Sequence, residues 1–529
     1  MKLRPSRAIF CLVFVLMVSA ILGGVFGGGH ARATTKGEED VDVSMKHFST
    51  LLGLVEENYA DSVDSDKAVF GAIDGMLRTL DPHSKFFDPK AFTSLREDQR
   101  GKYYGLGITV TTRFGKVTVV SPPFLGSPAE KVGLRVGDVI SHVNSEPTLG
   151  MDLNEVVSKL KGPRGTVVKI KIMRPGVDEP LEISVTRDEI AKFTISNAFM
   201  IRPRVGYVKL DSFAETTGAE LKEALRKLDV KNLDGLVFDL RNNPGGLLQE
   251  AIEVCETFLQ KGQLIVETKG RTRGSNRPYS SQRLNADNVF PLVVLINPAS
   301  ASASEIVAGA IQDHDRGLIV GQTSFGKGLV QSVYPLTKNA GLALTTQKWY
   351  TPSGRLIQRD YSQISQFDYY NHRDAATTPT KKEDVKRSDL GRVVYGGGGI
   401  APDYTVEEPK SNEFQDSLVK NFAFYTFVRD YLAKNPPIEP SFQVADALLG
   451  DFKQHITKRG IQFTEKDFQD NKDYAKRLIK YEVFYNRFGV SEASRILLEG
   501  DPQVLKAIDL IPEAKDLASK ARRQLAEKR

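Results

Sequence analysis

Residues 8–26, after a short basic start, form a long apolar run with Ser19 as its one polar side chain. Apolar residues then recur at helical spacing over 42–60, and a second amphipathic helix is predicted at about 65–80. Pro82, in the segment LDPHSKFF, ends that helical pattern. The pattern predicts an apolar leader (1–33) and a helical amino-terminal region (42–102).

A compact unit of short strands is predicted over residues 103–190. GITVTT, KVTVVS, VVKIKIM and LEISVT alternate apolar and polar side chains, as strands with one buried face do. The segments SPAEKVGL and DLNEVVSKLKG have helical spacing. The unit is therefore predicted to be a small domain of strands with two helices.

Strands and helices alternate from residue 205 onwards. LDGLVFDL, LVVLIN and GLIVGQ are typical of buried strands, and GLALTTQKWY continues the series. This alternation predicts an α/β core over residues 191–410 with a mostly parallel sheet. Residues 361–399 are polar and are predicted to be loop.

The last segment, residues 411–529, is charged and has helical periodicity, which predicts a helical carboxyl-terminal extension. The fold class expected for the whole chain is α/β with several domains. The extension has no assigned role; docking on the core, formation of a homo-oligomer and binding of an adaptor are the alternatives.

Composition narrows the function classes. Hydrophobic residues make up 40% and charged residues 26% of the 529 residues, which excludes wholesale disorder and a polytopic membrane protein. The net charge is +6, but the leader supplies four positive charges and no acids, so nucleic acid is not the expected partner. Cys255 is the only cysteine after the leader, so no disulfide framework or cysteine-based zinc site is predicted, and nothing requires a metal or cofactor.

The leader predicts export. A basic start, an apolar run and the cleavage-site pattern Ala31-Arg32-Ala33 are typical of a signal peptide. The run over 8–26 is also close to the length that spans a bilayer, so retention as a membrane anchor is the alternative to cleavage. In either case the rest of the chain is expected in the periplasm or otherwise outside the cytoplasm.

Candidate chemistry begins at LVVLINPASASASEIVAGAIQD (292–313). Small residues where a strand turns into a helix let a substrate approach, and helix-start amides stabilise anions, so a serine here is well placed as a nucleophile. The alternative is an ordinary helix start capped by serine.

A serine nucleophile needs a base, and histidine and lysine are both candidates. His314 lies at the far end of the predicted helix, and His83 lies in a turn. Lys327 lies between two glycines in TSFGKGLVQ, and the period of a strand places Gln331 on the same face as Lys327. The alternative for Lys327 is an exposed residue in a tight turn.

A third segment, DGLVFDLRNNPGGLLQEA (234–251), ends a buried strand in two glycines. Gly245 and Gly246 permit unusual dihedral angles and bare amides, which an oxyanion hole requires. Taken alone, this is also a common turn.

Together, SASASE, FGKG with a following glutamine, and LRNNPGG closely resemble motifs of the carboxyl-terminal processing protease family, the tail-specific serine proteases. The resemblance covers about residues 42–410. It implies that Ser302 is the nucleophile, Lys327 the general base and Gln331 its orienting partner. It further implies an oxyanion hole formed by the amide of Ala303 with that of Gly245 or Gly246.

The unit over 103–190 resembles that family's PDZ domain. In YYGLGITV, the resemblance implies a loop around Gly107 that binds a substrate's terminal carboxylate, with Leu106 and Ile108 lining a side-chain pocket. It also implies that the domain gates the active site, with Arg174 as a candidate participant. The alternative is a domain that serves only for packing.

The expected function is a Ser/Lys endopeptidase that cleaves carboxyl-terminal tails of exported proteins, with no nucleic acid partner. Two rivals are a binding protein on the same scaffold and a relative that acts on something other than peptide. The first predicts loss of the serine or the lysine, and both are present. A carboxylate-reading domain disfavours the second.

Overall fold

The computed structural model describes residues 36–283, 290–362, 364–371, 384–435 and 438–527. The predicted leader, with its apolar run, lies outside the described residues. Across the described ranges, no helix is long and apolar enough to cross a membrane. The described residues divide into two compact units, the first ending at Met76 and the second beginning at Leu77.

The described part of the first unit is helical. Helix α1 spans Lys36–Asn58, and α2 spans Ser65–Arg78, ending two residues into the second unit. The apolar spacing correctly predicted both helices. The apolar stripe of α1 is largely exposed; Leu51, for example, is 61% exposed.

The second unit opens with strand β1 (Lys85–Phe87) and helix α3 (Pro89–Arg100). The Asp88 side chain accepts a hydrogen bond from the amide of Ala91 at 2.7 Å and caps the helix start. Gly101 ends the helix at φ 66°, a left-handed conformation that favours glycine. Local sequence thus sets both ends of α3.

The PDZ-like domain is built on an antiparallel sheet in the order β3-β4-β5-β7-β8, with β6 on β5 and a separate β2–β9 pair. Its core includes Ile140, Val156 and Val168, all fully buried. The elements are β2 (Lys102–Gly105), β3 (Val110–Arg113), β4 (Lys116–Val119), α4 (Pro128–Lys131), β5 (Val139–Val143), β6 (Glu146–Pro147), α5 (Leu153–Leu160), β7 (Val167–Met173), β8 (Leu181–Thr186) and β9 (Asp188–Ala191).

The protease-like core follows, with two large sheets and a separate two-stranded hairpin among the described residues. Its elements are β10 (Ile195–Arg202), β11 (Val205–Leu210), α6 (Thr217–Lys227), β12 (Gly235–Asp239), α7 (Leu248–Phe258), β13 (Leu264–Gly270), β14 (Arg277–Ser280), β15 (Leu292–Ile296), α8 (Ala303–Asp313), β16 (Leu318–Gly321), β17 (Leu329–Pro335), β18 (Gly341–Tyr350), α9 (Gln366–Asn371), β19 (Val385–Arg387), β20 (Val393–Tyr395) and β21 (Tyr404–Thr405).

The first sheet has the order β10-β11-β12-β15-β16-β21 and is parallel except for β10. Every residue of β12, β15 and β16 is buried, because helices cover both faces of the sheet. The carboxyl ends of these strands meet at one edge, where the candidate site lies.

The second sheet corrects the prediction that GLALTTQKWY continues a parallel sheet. This segment is β18, which pairs antiparallel with β17, β13 and β1. Only a short connection joins β17 to β18, and such connections favour antiparallel pairing over the long crossover that parallel strands need. The predicted loop over 361–399 is also corrected, because its described part contains α9 and the β19–β20 hairpin. Residues 372–383 of that loop lie outside the described residues.

The first six helices of the extension, over residues 413–498, pack around their own core, in which Phe424, Phe452 and Ile479 are buried. The helices of the extension are α10 (Glu413–Lys420), α11 (Ala423–Lys434), α12 (Asp446–Lys458), α13 (Glu465–Asp470), α14 (Lys472–Phe488), α15 (Val490–Leu498), α16 (Pro502–Asp509) and α17 (Ile511–Glu527).

The last two helices belong to the core. Val504 and Ala514, from α16 and α17, pack against Val237 and Val293 of the parallel sheet, while α7 and α8 cover the opposite face. The sheet therefore depends on the end of the chain for one of its covering layers.

The hairpin between β3 and β4 contacts the extension. The guanidinium of Arg113 lies 3.6 Å from the centre of the Tyr425 ring, and the rings of Phe114 and Phe422 are 5.1 Å apart. These contacts hold the PDZ-like domain against helix α11 and the residue that precedes it.

Candidate active site

The candidate nucleophile lies where β15 leads into α8. Ser302 is half-buried and precedes the first helical residue, with φ 54° and ψ −112°. A positive φ is strained for a residue with a side chain, and such strain is concentrated at functional sites. The turn is fixed by Ser300, whose hydroxyl donates to the carbonyl of Leu240 at 2.9 Å.

The glycine loop lies directly against Ser302. A Cβ atom on Gly245 would lie 2.7 Å from the carbonyl oxygen of Ala301 and 2.8 Å from the Cβ of Ser302. On Gly246 it would lie 2.1 Å from the carbonyl oxygen of Phe213. These two positions therefore require glycine because neighbouring backbone approaches them closely.

The three predicted oxyanion amides differ in their hydrogen bonds. The amide of Gly245 donates to Oδ1 of Asn243 at 2.8 Å. The amides of Ala303 and Gly246 donate to no group among the described residues. Ala303 is also the first residue of α8, where the helix dipole favours negative charge. One open amide thus follows the candidate serine directly in the chain, and a second belongs to the glycine loop that approaches it through Gly245.

The candidate base is not an exposed turn residue. Lys327 is half-buried, its carbonyl accepts a hydrogen bond from Nε1 of Trp349 at 3.1 Å, and a Cβ atom on Gly328 would lie 2.9 Å from the backbone nitrogen of Gln358. Burial lowers the pKa of Lys327, while the charges of Glu305 and Asp81 oppose that shift. A lowered pKa increases the neutral fraction of the amine, the form that accepts a proton.

Glu305 joins the serine segment to the lysine segment. Its Oε2 accepts the amide of Ser302 at 2.7 Å and that of Lys327 at 2.9 Å, so these two nitrogens lie within about 6 Å of each other. Its Oε1 accepts the amide of Gly326 at 2.6 Å and the hydroxyl of Ser324 at 2.5 Å. Burial raises the pKa of Glu305, whereas the hydrogen bonds from these four donors act to lower it.

Sequence reasoning gave Glu305 no role. The only local signal was its place three residues after Ser302, the spacing of a capping box, in which the carboxylate accepts the amide of the cap residue. Its bonds to Gly326 and Lys327 arise from tertiary structure. There is no direct hydrogen bond between Ser302 Oγ and Lys327 Nζ, a bond that often forms only when substrate binds.

Gln331 lies on β17 and reaches across to β18. Its Nε2 donates to Oγ1 of Thr345 at 3.1 Å, and that hydroxyl donates to Oδ1 of Asp81 at 3.1 Å. Asp81 is 8% exposed and belongs to the LDPHSKFF turn. This turn, which the sequence connected with the site only through the alternative base His83, therefore contributes to the site through Asp81.

The two alternative histidine bases are not suited to the role. The ring nitrogens of His83 lie 3.0 Å and 3.1 Å from the hydroxyls of Tyr369 and Tyr370, and burial, with the charge of Lys327, lowers its pKa to about 4. His314 contacts Asp389 at 2.8 Å and the carbonyl of Leu264 at 2.7 Å. Although burial opposes it, these two hydrogen bonds raise the pKa of His314. Both ring nitrogens are engaged in each histidine.

The PDZ-like domain has a groove on the side of Ile108. A cavity of about 580 Å³ is lined by Ile108, Val110, Phe124, Val157 and Phe193, among others. Such an apolar groove between a strand and a helix fits an extended peptide. The predicted pocket role of Leu106 needs correction: its side chain is 2% exposed and packs in the domain core.

Gly107 has φ 79°, and a Cβ atom there would lie 2.4 Å from the Cβ of Ser127, so only glycine fits the loop. Arg174 lies elsewhere in the domain. Its Nε and Nη2 donate to the two carboxylate oxygens of the fully buried Asp138, each at 2.8 Å. That ion pair holds Arg174 within the domain.

Four protein families match successive parts of the chain. Peptidase family S41 matches residues 204–365, and a PDZ domain matches 119–174. The activating protease CtpB N-terminal domain matches 29–91. The C-terminal helical domain of a probable PDZ-protease matches 414–467, a part of the extension that the motifs alone left unassigned.

Several whole proteins are similar to this chain over most of their length. A carboxy-terminal-processing protease of Bartonella bacilliformis is 41% identical over 329 residues, which cover 61% of this chain and 75% of that protein. Carboxy-terminal processing proteases CtpB and CtpA of Bacillus subtilis are 35% identical over 365 residues and 33% identical over 357 residues. Those alignments cover 68% and 67% of this chain, and 75% and 76% of the two relatives.

Proposed function

The chain belongs to the carboxy-terminal processing proteases of peptidase family S41, and on that premise we propose that it cleaves carboxyl-terminal tails with Ser302 and Lys327 as its catalytic pair. The observation that carries the proposal is the Glu305 carboxylate, which binds the amides of both residues. This contact brings the backbones of a serine and a lysine 25 positions apart within about 6 Å of each other, which supports their assignment to one catalytic pair.

Neutral Lys327 accepts the proton of the Ser302 hydroxyl, and the resulting Oγ attacks the scissile carbonyl carbon. The tetrahedral intermediate breaks down as the leaving amine takes a proton from the Lys327 ammonium, which leaves an acyl-enzyme on Ser302. Water, deprotonated by the same amine, then attacks the ester and releases the second product.

The oxyanion is stabilised by backbone amides. Ala303 supplies one from the start of α8, and the glycine loop supplies the other. Gly246 is the loop donor we assign, because the amide of Gly245 already donates to Asn243. Gly245 instead lets the loop approach Ser302. Preorganised donors of this kind contribute about 3 to 4 kcal/mol each to transition-state stabilisation.

Substrate selection is assigned to the PDZ domain. A peptide's terminal carboxylate would bind at the Gly107 loop, and its last apolar side chain would lie in the groove beside Ile108. The leader would direct the enzyme to the outside of the cytoplasm, where exported proteins with unstructured tails are the substrates. A binding scaffold without peptidase activity is the second candidate, but both catalytic groups are retained and the lysine has a lowered pKa.

The test is mass spectrometry of a reporter protein with an unfolded tail, incubated with wild type and with Ser302→Ala. Wild type should release fragments from the tail, and Ser302→Ala should release none while keeping its circular dichroism spectrum and thermal unfolding temperature. Equal fragment yields from both proteins would reject Ser302 as the nucleophile. Retention of the reporter by wild type without cleavage would favour the scaffold function.

A further inference from the structure

The chain of hydrogen bonds Asp81–Thr345–Gln331 beside Lys327 carries an inference about the reaction itself. We propose that Asp81 and Thr345 are positioning residues, which turn the Gln331 carboxamide so that its oxygen, and not its NH₂ group, faces the amine of Lys327. The proposal rests on the proposed function, because it assigns Gln331 to the orientation of the catalytic lysine.

Which group donates in each of these hydrogen bonds follows from counting the donors and acceptors. An ionised carboxylate only accepts hydrogen bonds. Asp81 Oδ1 accepts from the amides of His83 and Ser84, both at 2.8 Å, and from the Thr345 hydroxyl at 3.1 Å. Since a hydroxyl has one hydrogen, Thr345 must use it on Asp81.

Thr345 Oγ1 can then only accept from its other neighbour, Gln331. That neighbour must present Nε2, as it does at 3.1 Å, and its Oε1 must point elsewhere. An amide's oxygen and nitrogen are otherwise nearly interchangeable in shape, so a carboxamide without such a partner can take either orientation. Asp81, the acceptor at the far end of this chain of hydrogen bonds, removes the ambiguity.

Lys327 is the group that gains from a fixed amide oxygen. Lys327 lies two residues before β17, the strand on which Gln331 is paired directly with Thr345 of β18. The charge of Asp81 also acts on Lys327, where it opposes the lowering of the lysine pKa by burial. If Gln331 Oε1 accepts an N–H of the neutral amine, the nitrogen lone pair is left for the Ser302 hydroxyl. A reversed carboxamide would instead present N–H donors to the amine and compete with Ser302 for that lone pair.

The LDPHSKFF turn is held rigidly enough for this role. The Ser84 hydroxyl donates to Asp81 Oδ2 at 2.7 Å and accepts the backbone amide of Thr345 at 3.1 Å. Strand β1, which follows the turn, pairs antiparallel with β18, the strand that carries Thr345. Asp81 is thus connected to Thr345 in three ways: directly, through Ser84, and through the pairing of β1 with β18. The competing interpretation is that Asp81 stabilises only the turn and has no effect on Gln331.

A double-mutant cycle separates positioning from turn stability. Thr345→Val removes the hydroxyl at nearly constant shape, and Gln331→Ala removes the group on which the chain acts. Thr346→Val is the matched control, because the Thr346 hydroxyl lies one residue away and bonds Ser332 at 2.8 Å instead. The cleavage rate is measured on the unfolded-tail reporter, with thermal unfolding followed in parallel.

We expect Thr345→Val to lower kcat on the order of 10- to 100-fold with KM changed less than about twofold, since misplacement of a catalytic group affects the chemical step. Thr345→Ser should restore most of the rate, and Thr346→Val should resemble wild type. In the Gln331→Ala background, Thr345→Val should have almost no further effect on kcat.

Two results would overturn the proposal. One is a wild-type kcat for Thr345→Val. The other is a double variant whose loss of kcat equals the product of the losses in Thr345→Val and Gln331→Ala. If Thr345→Val does not fold, Thr345→Ala takes its place in the same cycle with the same expectations. Ser302→Ala and Lys327→Arg are measured alongside. Activity in those two variants would reject the proposed function, whereas inactivity in them with a wild-type Thr345→Val would reject the positioning role alone.

Discussion

Glu305 Oε2 accepts the backbone amide of Lys327 at 2.9 Å across 22 residues of sequence. The same oxygen accepts the amide of Ser302, so one buried carboxylate sets the separation of two backbone segments. A site arranged in this way should be sensitive to Glu305 even though Glu305 is not expected to contact substrate.

Glu305→Gln should reduce both activity and stability. The amide keeps one acceptor oxygen, but its NH₂ group must face two groups that donate. Hydrogen bonds to a charged group contribute about 1.5 to 3 kcal/mol each, so a loss of at least about 2 kcal/mol is expected in urea unfolding. Cleavage of the reporter should fall by on the order of 100-fold.

The control for this variant is Glu220→Gln. Glu220 accepts the amides of Thr194 and Ile195 at 2.7 Å and 3.1 Å, so it is another carboxylate that holds backbone. Glu220→Gln should lose stability and keep kcat. If both variants keep wild-type kcat, Glu305 contributes to folding only.

The two serines that flank Ser302 should affect stability first. Ser300 donates to the carbonyl of Leu240, and Ser304 donates to the carbonyl of Asn243 at 3.0 Å; both are fully buried. Ser300→Ala and Ser304→Ala should each cost about 1 to 3 kcal/mol, because a buried carbonyl loses a donor. Both should keep measurable cleavage, whereas Ser302→Ala should keep stability and lose cleavage. Complete inactivity of Ser304→Ala with unchanged stability would contradict this assignment.

The pH dependence should report Lys327. Burial lowers its pKa from the ordinary 10.5, and only the neutral amine accepts the Ser302 proton. The rate should therefore rise as pH increases through the lowered pKa and fall as pH decreases through it. Lys327→Arg should be inactive at every pH, because a guanidinium does not lose its proton.

His83 provides the check on that interpretation. Its pKa of about 4 leaves His83 neutral through the usual assay range. His83→Asn should therefore shift the apparent pKa of the pH–rate profile by less than about half a unit. Activity in Lys327→Arg would remove Lys327 from the mechanism.

The PDZ groove should distinguish free from blocked carboxyl termini. A peptide ending in an apolar residue and a free carboxylate should have a KM about tenfold lower than its amidated form, because charge-assisted hydrogen bonds are stronger than neutral ones. Val157→Asp places a charge in the groove and should remove that difference. Ser158→Asp, exposed on the same helix, is the control and should preserve it. Equal KM values for the two peptides with wild type would mean that the groove does not read the terminus.

The contact between the PDZ domain and helix α11 should protect its hairpin from amide exchange. Arg113→Ala removes a cation–π contact with Tyr425, worth about 0.5 to 2 kcal/mol. Exchange over residues 113–116 should accelerate several-fold, whereas Lys116→Ala, at the exposed end of the same hairpin, should not change it. Unchanged exchange in Arg113→Ala would show that this contact does not hold the domain.

Local sequence determined much of this protein. Apolar spacing predicted α1 and α2, strands β3, β4, β7 and β8 of the PDZ domain and the buried strands β12, β15 and β16, because such periodicity is a property of neighbouring residues. Three short motifs, with their residue types and spacings, indicated the family and the candidate residues Ser302, Lys327 and Gln331. None of these required knowledge of long-range contacts.

Tertiary structure decided how these parts act together. Parallel or antiparallel pairing of β18, burial of Leu106 and coverage of the sheet by α16 depend on partners far away in sequence. The bonds from Glu305 to Lys327 and from Thr345 to Asp81 join segments 22 and 264 residues apart. Periodicity along one segment carries no information about which distant polar group faces it. The sequence therefore supplied the groups able to react, and the folded chain determined their hydrogen-bond partners, their burial and the resulting pKa of Lys327.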